Sequence, residues 1–393
     1  MLPLHMVRPS TGRPFQETIN RGSKMNKDRF HGLDFCRAVL MTLGLFFHCG
    51  LIYGSGQDWR VVSDETMSII KFIANFIHHF RMEAFYLVSG FFYLLILSKG
   101  RDSFLKDRLV RALIPMLVIG LTLNVMMNHL SDNRTYDWGV NYFINGKWLG
   151  HLWFLGNLIV YFMVSIPVSK LIAKKAQRLS SAQFYIAIGG LITVALIGNA
   201  AAKHFGWSTV LFINFGYLFY FYPFFLMGVV AYAAKNHFYS LISIKKLPFF
   251  LAAYAVMQGV AKIDVGLTLA QIDFIKQVSH FPLMVCAFSF LNFIGDRESR
   301  VIKLFSDASY TIYLLHQPLI ILFYVAFFDS VSLGAMTEYL LLIVSVFAAS
   351  LLFHLLVVEK SATAKLLLNG VQTKSSVKAK TGRRPPNKIA MAQ

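Results

Sequence analysis

Ten apolar stretches, each long enough to cross about 30 Å of hydrocarbon, recur along the chain and leave little else for it to become. They lie near 33–53, 69–98, 112–130, 152–172, 182–202, 208–234, 247–263, 274–294, 309–328 and 334–358. In lipid every backbone N–H and C=O must find a partner inside the protein, and continuous apolar runs of this length do so as helices. The chain is 56% hydrophobic and only 15% charged, with a mean hydropathy of +0.55. The expected fold is therefore all-α: a polytopic membrane protein of about ten transmembrane helices.

Charge sorts the connecting segments into two classes. Lys and Arg cluster before the first span and after the second, fourth, sixth, eighth and tenth, whereas the alternate loops mix few cations with many carboxylates. Excess positive charge marks the cytoplasmic side, so both termini are expected there and the number of spans is even. Residues 1–30 lack the apolar core of a signal peptide and read as a basic cytoplasmic tail. Residues 31–358 form the membrane domain, and 359–393 read as a second basic, disordered tail. Its last part, 372–393, is expected to be held near anionic lipid by its charge. The net charge of +19 is spread between apolar runs instead of forming one basic domain, so no nucleic acid is expected as a partner. Cys36, Cys49 and Cys286 fall within spans without a C-x-x-C spacing, which supports neither a disulfide framework nor a metal site.

The polar residues inside the spans carry the chemistry, because ionisable groups in a bilayer are costly and mark functional cavities. Arg37 and His48 stand eleven residues apart in the first span. Eleven steps of about 100° amount to three turns and about 20°, so they share a face and are separated by roughly 16 Å along the helix. Asp34, three residues before Arg37, can pair with it. Counting down the second span brings Arg81 and Glu83 to the depth of His48, in the outer half of the membrane. A histidine beside a carboxylate suits an oriented general base, so His48, Glu83 and Arg81 are the candidate catalytic set. The alternatives are a satisfied interior histidine and a structural Arg81–Glu83 ion pair. The second span is also too long for one straight crossing, and its first part, with Lys71, His78 and His79, is expected to lie at the outer interface or to bend.

Arg108 and Arg111 are i, i+3 neighbours at the cytoplasmic start of the third span; their forks suit phosphate or carboxylate, or simply anchor the helix. His151 and Trp153 open the fourth span from outside, either as an interfacial belt or as a mouth where a sugar docks. His316 lies seven residues into the ninth span, about 10 Å from the cytoplasmic face on this count, and is equally a structural or a functional residue. The aromatic run from Phe215 to Phe225 is expected to face lipid, and Gly90 to mark close helix packing.

Five segments, in order, resemble the motifs of the membrane acyltransferase 3 family. They are Gly32 to Ala38 with His48 following, Phe85 to Phe91, the Arg108-Leu109-Val110-Arg111 pair of arginines, His151 to Leu155, and Tyr310 to Pro318. The likeness extends over about 31–358. Leu51-Ile52-Tyr53 with Trp59, the His78-His79-Phe80-Arg81-Met82 run and Ile114 to Leu117 are similar to the branch that succinylates osmoregulated periplasmic glucans. The resemblance implies a multi-pass enzyme of the bacterial inner membrane with no metal and no tightly bound cofactor, using acyl-CoA, specifically succinyl-CoA, as co-substrate. Arg37, Asp34, Arg108 and Arg111 would then serve the donor, His151 and Trp153 the glucan acceptor, and His48 would act as general base or as a transient acyl carrier. Proteins of glucan synthesis are further candidate partners. Acetyl transfer to another surface polysaccharide, and transport of a glycan or acyl donor, are the alternative functions.

Overall fold

The computed structural model describes residues 30–371 apart from 57–58, 101–102, 132–137, 264–265 and 330. The two tails, 1–29 and 372–393, with the expected lipid contact of the latter, lie outside the described residues. Among the described residues nine helices are long and apolar enough to cross a membrane, and a tenth crossing is supplied if the bent pair Lys235–Leu241 and Ile244–Val260 counts as one span. This is an all-α multi-pass membrane protein.

Helices α1 (His31–Tyr53) and α2 (Ser68–Leu97) form its centre. α2 is one uninterrupted helix of 30 residues. It contains no proline, and its single glycine, Gly90, comes late, so nothing in its first five turns interrupts the hydrogen-bond ladder. α3 (Phe104–Leu121) and the short α4 (Leu123–His129) follow, then a one-turn α5 (Val140–Ile144) and a 3-10 segment, Lys147–Leu152. α6 (Trp153–Ala176) and α7 (Ser181–Phe205) come next. A small hairpin, Thr209–Val210 paired with Ile213–Asn214, precedes α8 (Phe215–Ala233). The sixth span therefore starts later than the apolar run suggests, because residues 209–214 turn back on themselves before the helix begins.

The remaining elements are α9 (Lys235–Leu241), α10 (Leu247–Val260), α11 (Leu269–Gly295), α12 (Arg300–Phe323), α13 (Ala335–Phe353) and α14 (Ala362–Asn369). α1 packs against α2, α11, α12 and α13, while α2 also lies along α8 and α11. The contact of α2 with α8 is made backbone to backbone. A Cβ on Gly90 would stand 1.9 Å from the carbonyl oxygen of Phe225, and one on Gly228 equally close to that of Leu87. This close approach turns the aromatic run of α8 inward, against the expectation that it faces lipid. Tyr220, Phe221, Phe224 and Phe225 are all buried, and Tyr217 and Phe219 are the members that remain exposed.

The C-terminal boundary also moves. The expected tail at 359 begins folded: α14 packs against α3 and α12, with Ser361 capping its first turn through Ala364 N–H. The capping serine and the apolar residues Leu366 and Leu368 let this short helix order within a segment whose overall charge suggests a tail.

Candidate active site

Two cavities open into the bundle from opposite ends. The first, of about 500 Å³, lies among the starts of α1, α3 and α12 and is lined by Arg37, Arg108, Arg111, Ser306, Asp307, Lys365 and Asn369, with Phe92, Phe162 and others. The second, of about 360 Å³, is lined by His48, Arg81, Glu83, His151, Trp153, Tyr220, His280 and His316. Its mouth carries Asn199, Lys203, Asp273, Lys276 and Gln277, where the end of α7 meets the beginning of α11. Met41, Phe85 and Phe154 belong to the walls of both. Phe85 and Phe154 meet edge to face with centroids 4.9 Å apart, so the partition is one layer of apolar side chains.

In the basic cavity the helical i, i+3 spacing brings Arg37 and Asp34 together at 3.6 Å, as expected. Arg37 also lies over the ring of Phe92 at 5.3 Å. Asp34 stands behind Arg37, outside the cavity wall. Arg108 and Arg111 project from the first two turns of α3, and Tyr310 Oη donates to the Arg111 carbonyl at 2.8 Å, tying α12 to this edge. α14 adds Lys365, whose Nζ is 3.2 Å from Glu359. The sequence reading missed this lysine because it fell in a segment assigned to the tail.

In the second cavity three imidazoles gather. His48 and His316 have ring centroids 5.2 Å apart, and His316 and His151 4.9 Å apart. His316 is therefore level with His48, and the depth of about 10 Å expected for it is wrong. α12 begins at Arg300, nine residues before the apolar run that suggested its start, and those residues lift His316 by about 14 Å. His316 donates from Nδ1 to the carbonyl of Tyr313, which leaves Nε2 as a buried lone pair without a hydrogen-bond partner. An imidazole held through one nitrogen presents a defined basic atom with the other. His48 Nδ1 is likewise buried and unpartnered, and Trp59 covers this ring at 5.6 Å from a loop that folds inward.

His151 is buried at the floor of the cavity, away from the outer mouth where the sequence suggested it. Its Nε2 donates to the Leu314 carbonyl at 3.2 Å, and Tyr313 Oη donates back to the His151 carbonyl at 2.7 Å. The cause is the 3-10 segment: Gly150, at φ +52° and ψ −121°, breaks the helical path in a conformation closed to residues with a Cβ. Asn124 secures the segment by donating to the carbonyls of Trp148 and Leu149 at 3.1 and 2.6 Å. Trp153 does line the cavity, packed on Tyr217 at 4.7 Å.

The expected His48–Glu83 dyad is absent. Glu83 Oε1 accepts from Tyr220 Oη at 2.8 Å and pairs with His280 Nδ1 at 3.1 Å, on the wall formed by α8 and α11. Two helical positions from Arg81 is about 200°, so the two side chains leave α2 on opposite sides and do not form the alternative ion pair either. Arg81 instead lies over Phe47 at 4.9 Å, on the side of His48 and His316. The three imidazoles do not make a metal centre: among the described residues no three His, Cys, Asp or Glu side chains converge on one ion position.

One cavity is lined by three arginines and the other by buried imidazoles, and the family model described as an acyltransferase domain matches residues 30–355. The chain belongs to the acyltransferase 3 family. It is a membrane acyltransferase. Among curated relatives, the glucans biosynthesis protein C of Shigella dysenteriae serotype 1 (strain Sd197) is 29% identical, over 75% of this chain and 83% of the relative. The proteins of that name from Escherichia coli O157:H7 and Escherichia coli (strain K12) are 28% identical over the same shares. No solved structure matches this acyltransferase.

Proposed function

We propose that this acyltransferase moves a succinyl group from cytoplasmic succinyl-CoA to hydroxyls of a periplasmic glucan, from a seat in the bacterial inner membrane. The observation that carries this reading is the pair of cavities that share Met41, Phe85 and Phe154 as a wall. Arg37, Arg108 and Arg111, with Lys365, give the basic cavity the charge to hold the phosphates of coenzyme A. The acyl-pantetheine arm then passes the apolar partition and covers the roughly 16 Å between the levels of Arg37 and His48. The glucan enters at the opposite mouth, with Trp153 as a flat surface for a sugar ring and His151 at the floor.

The chemistry needs a base and no redox partner. His48 takes the proton of the glucan hydroxyl as its oxygen attacks the thioester carbonyl. The tetrahedral intermediate collapses, the carbon–sulfur bond breaks, and the imidazolium returns the proton to the leaving thiolate. The products are the glucan ester and free coenzyme A. His316 supports His48 through its fixed tautomer, while Glu83 orders Tyr220 and His280 in the cavity wall.

Purified protein in detergent, supplied with labelled succinyl-CoA and glucan and with no ion gradient, is expected to form succinyl esters. Ester formation in micelles excludes a purely transporting role. Transfer of acetyl from acetyl-CoA with none of succinyl would overturn the choice of acyl group, and no transfer from either donor would overturn the reading as a whole.

A further inference from the structure

Arg81 carries its charge into the bundle without a carboxylate in contact with it. No carboxylate lies within ion-pair distance of its guanidinium among the described residues, and its Nε is buried without a hydrogen-bond partner. Glu83, the carboxylate nearest in sequence, is turned to the other side of α2, where Tyr220 and His280 both contact its Oε1; its Oε2 is buried without a hydrogen-bond partner and makes no ion pair with Arg81. Of the other cations of this cavity, Lys203 is paired with Asp273 at 2.8 Å and Lys276 is exposed near the mouth. The end of Arg81 reaches α1: Nη1 lies 2.9 Å from where a Cβ on Gly44 would stand, and His316 Nε2 lies 3.3 Å from the same point. Gly44 is one turn before His48 on α1, so guanidinium, both imidazoles and the cavity meet around one helical turn.

An unmatched guanidinium in a low-dielectric site calls for an anion, and its planar fork fits a carboxylate in two parallel hydrogen bonds. We propose that Arg81 binds the terminal carboxylate of a dicarboxylic acyl group and so selects the acyl donor. The inference rests on the acyl-transfer reading given above and specifies its substrate. In a succinyl group the carboxylate carbon is three C–C bonds from the thioester carbon, about 4 Å away. A thioester held against His48 therefore carries its free carboxylate into the space in front of Arg81. A neutral acyl group of the same length would leave the guanidinium unpaired, and the site discriminates against it.

The test compares succinyl-CoA with butyryl-CoA, which has the same chain length and a methyl group in place of the carboxylate. The full-length protein, wild type, Arg81→Met and Arg81→Lys, is assayed in detergent by mass spectrometry of the glucan. Wild type should prefer succinyl-CoA in kcat/KM. Arg81→Met should lose about 100-fold with succinyl-CoA and stay within about threefold with butyryl-CoA, as expected for one charge-assisted bidentate contact. Arg81→Lys, which keeps the charge without the fork, should fall between them and supplies the ratio if Arg81→Met does not fold. A wild-type preference for succinyl-CoA that survives in both variants, or an equal loss with the two donors, overturns the role of Arg81 alone. Wild-type protein that uses butyryl-CoA and not succinyl-CoA overturns the succinyl reading together with it.

Discussion

The imidazoles of His48 and His316 face each other with centroids 5.2 Å apart, although they come from opposite ends of the chain. His316 is held through Nδ1 by the Tyr313 carbonyl and keeps Nε2 without a partner, while Trp59 covers the ring of His48, whose Nδ1 is buried without a hydrogen-bond partner. His48→Ala is expected to lower kcat by about 10³-fold, the worth of a general base, with normal insertion and yield. His316→Gln should cost about 10- to 100-fold with the donor KM unchanged. Groups serving one step lose their effect together, so the double variant should be little worse than His48→Ala. Steady-state rates of ester formation decide this. Multiplying losses would separate the two residues into independent roles.

The partition between the cavities makes a second prediction. Met41 is a flexible buried side chain at its centre, and the acyl arm must pass beside it. Met41→Trp adds bulk in this layer, and should reduce transfer by about 100-fold while coenzyme A binding, read by calorimetry, keeps its affinity. Loss of binding and transfer in parallel would mean that the donor does not use this passage.

Charge in the basic cavity can be tested in the same way. Each charge-assisted hydrogen bond to a phosphate is worth about 1.5–3 kcal/mol, so Arg108→Ala or Arg111→Ala should raise the donor KM by about 10-fold or more. Because these groups stand far from the reacting carbonyl, kcat should change little. Lys365→Ala should act in the same direction and more weakly, since Glu359 already shares its charge. A fall in kcat at constant KM would assign these cations to the chemical step.

Much of this was legible in the sequence, and the gaps have identifiable causes. Helical periodicity alone gave the Asp34–Arg37 pair and the axial separation of Arg37 from His48. Depths estimated from apolar boundaries failed wherever a helix runs on through polar residues, as α12 does from Arg300 through Asp307 to His316. The inward position of His151 depends on the left-handed turn at Gly150 and on the amide of Asn124, a contact between segments that no spacing rule contains. The partnership of Glu83 with Tyr220 and His280 arises from three helices meeting, and the sequence order of neighbouring spans suggested His48 instead. Gly90 was read correctly as a packing residue, but its partner Gly228 and the consequent burial of the aromatic run of α8 were not.

That glycine contact gives the last prediction. A side chain at Gly90 meets the backbone of Phe225, which cannot rotate away as a side-chain tip could. Relief requires α2 and α8 to separate, which would loosen the wall that holds Tyr220 against Glu83. Gly90→Val should therefore cost at least about 3 kcal/mol, the upper part of the usual range for overpacking, and lower the thermal transition of the detergent-solubilised protein by several degrees. Gly189, by contrast, lies on α7 with open space around the position of its Cβ, and Gly189→Val should leave the transition close to that of wild type. Equal transitions for the two variants would show that the backbone contact between α2 and α8 does not limit stability.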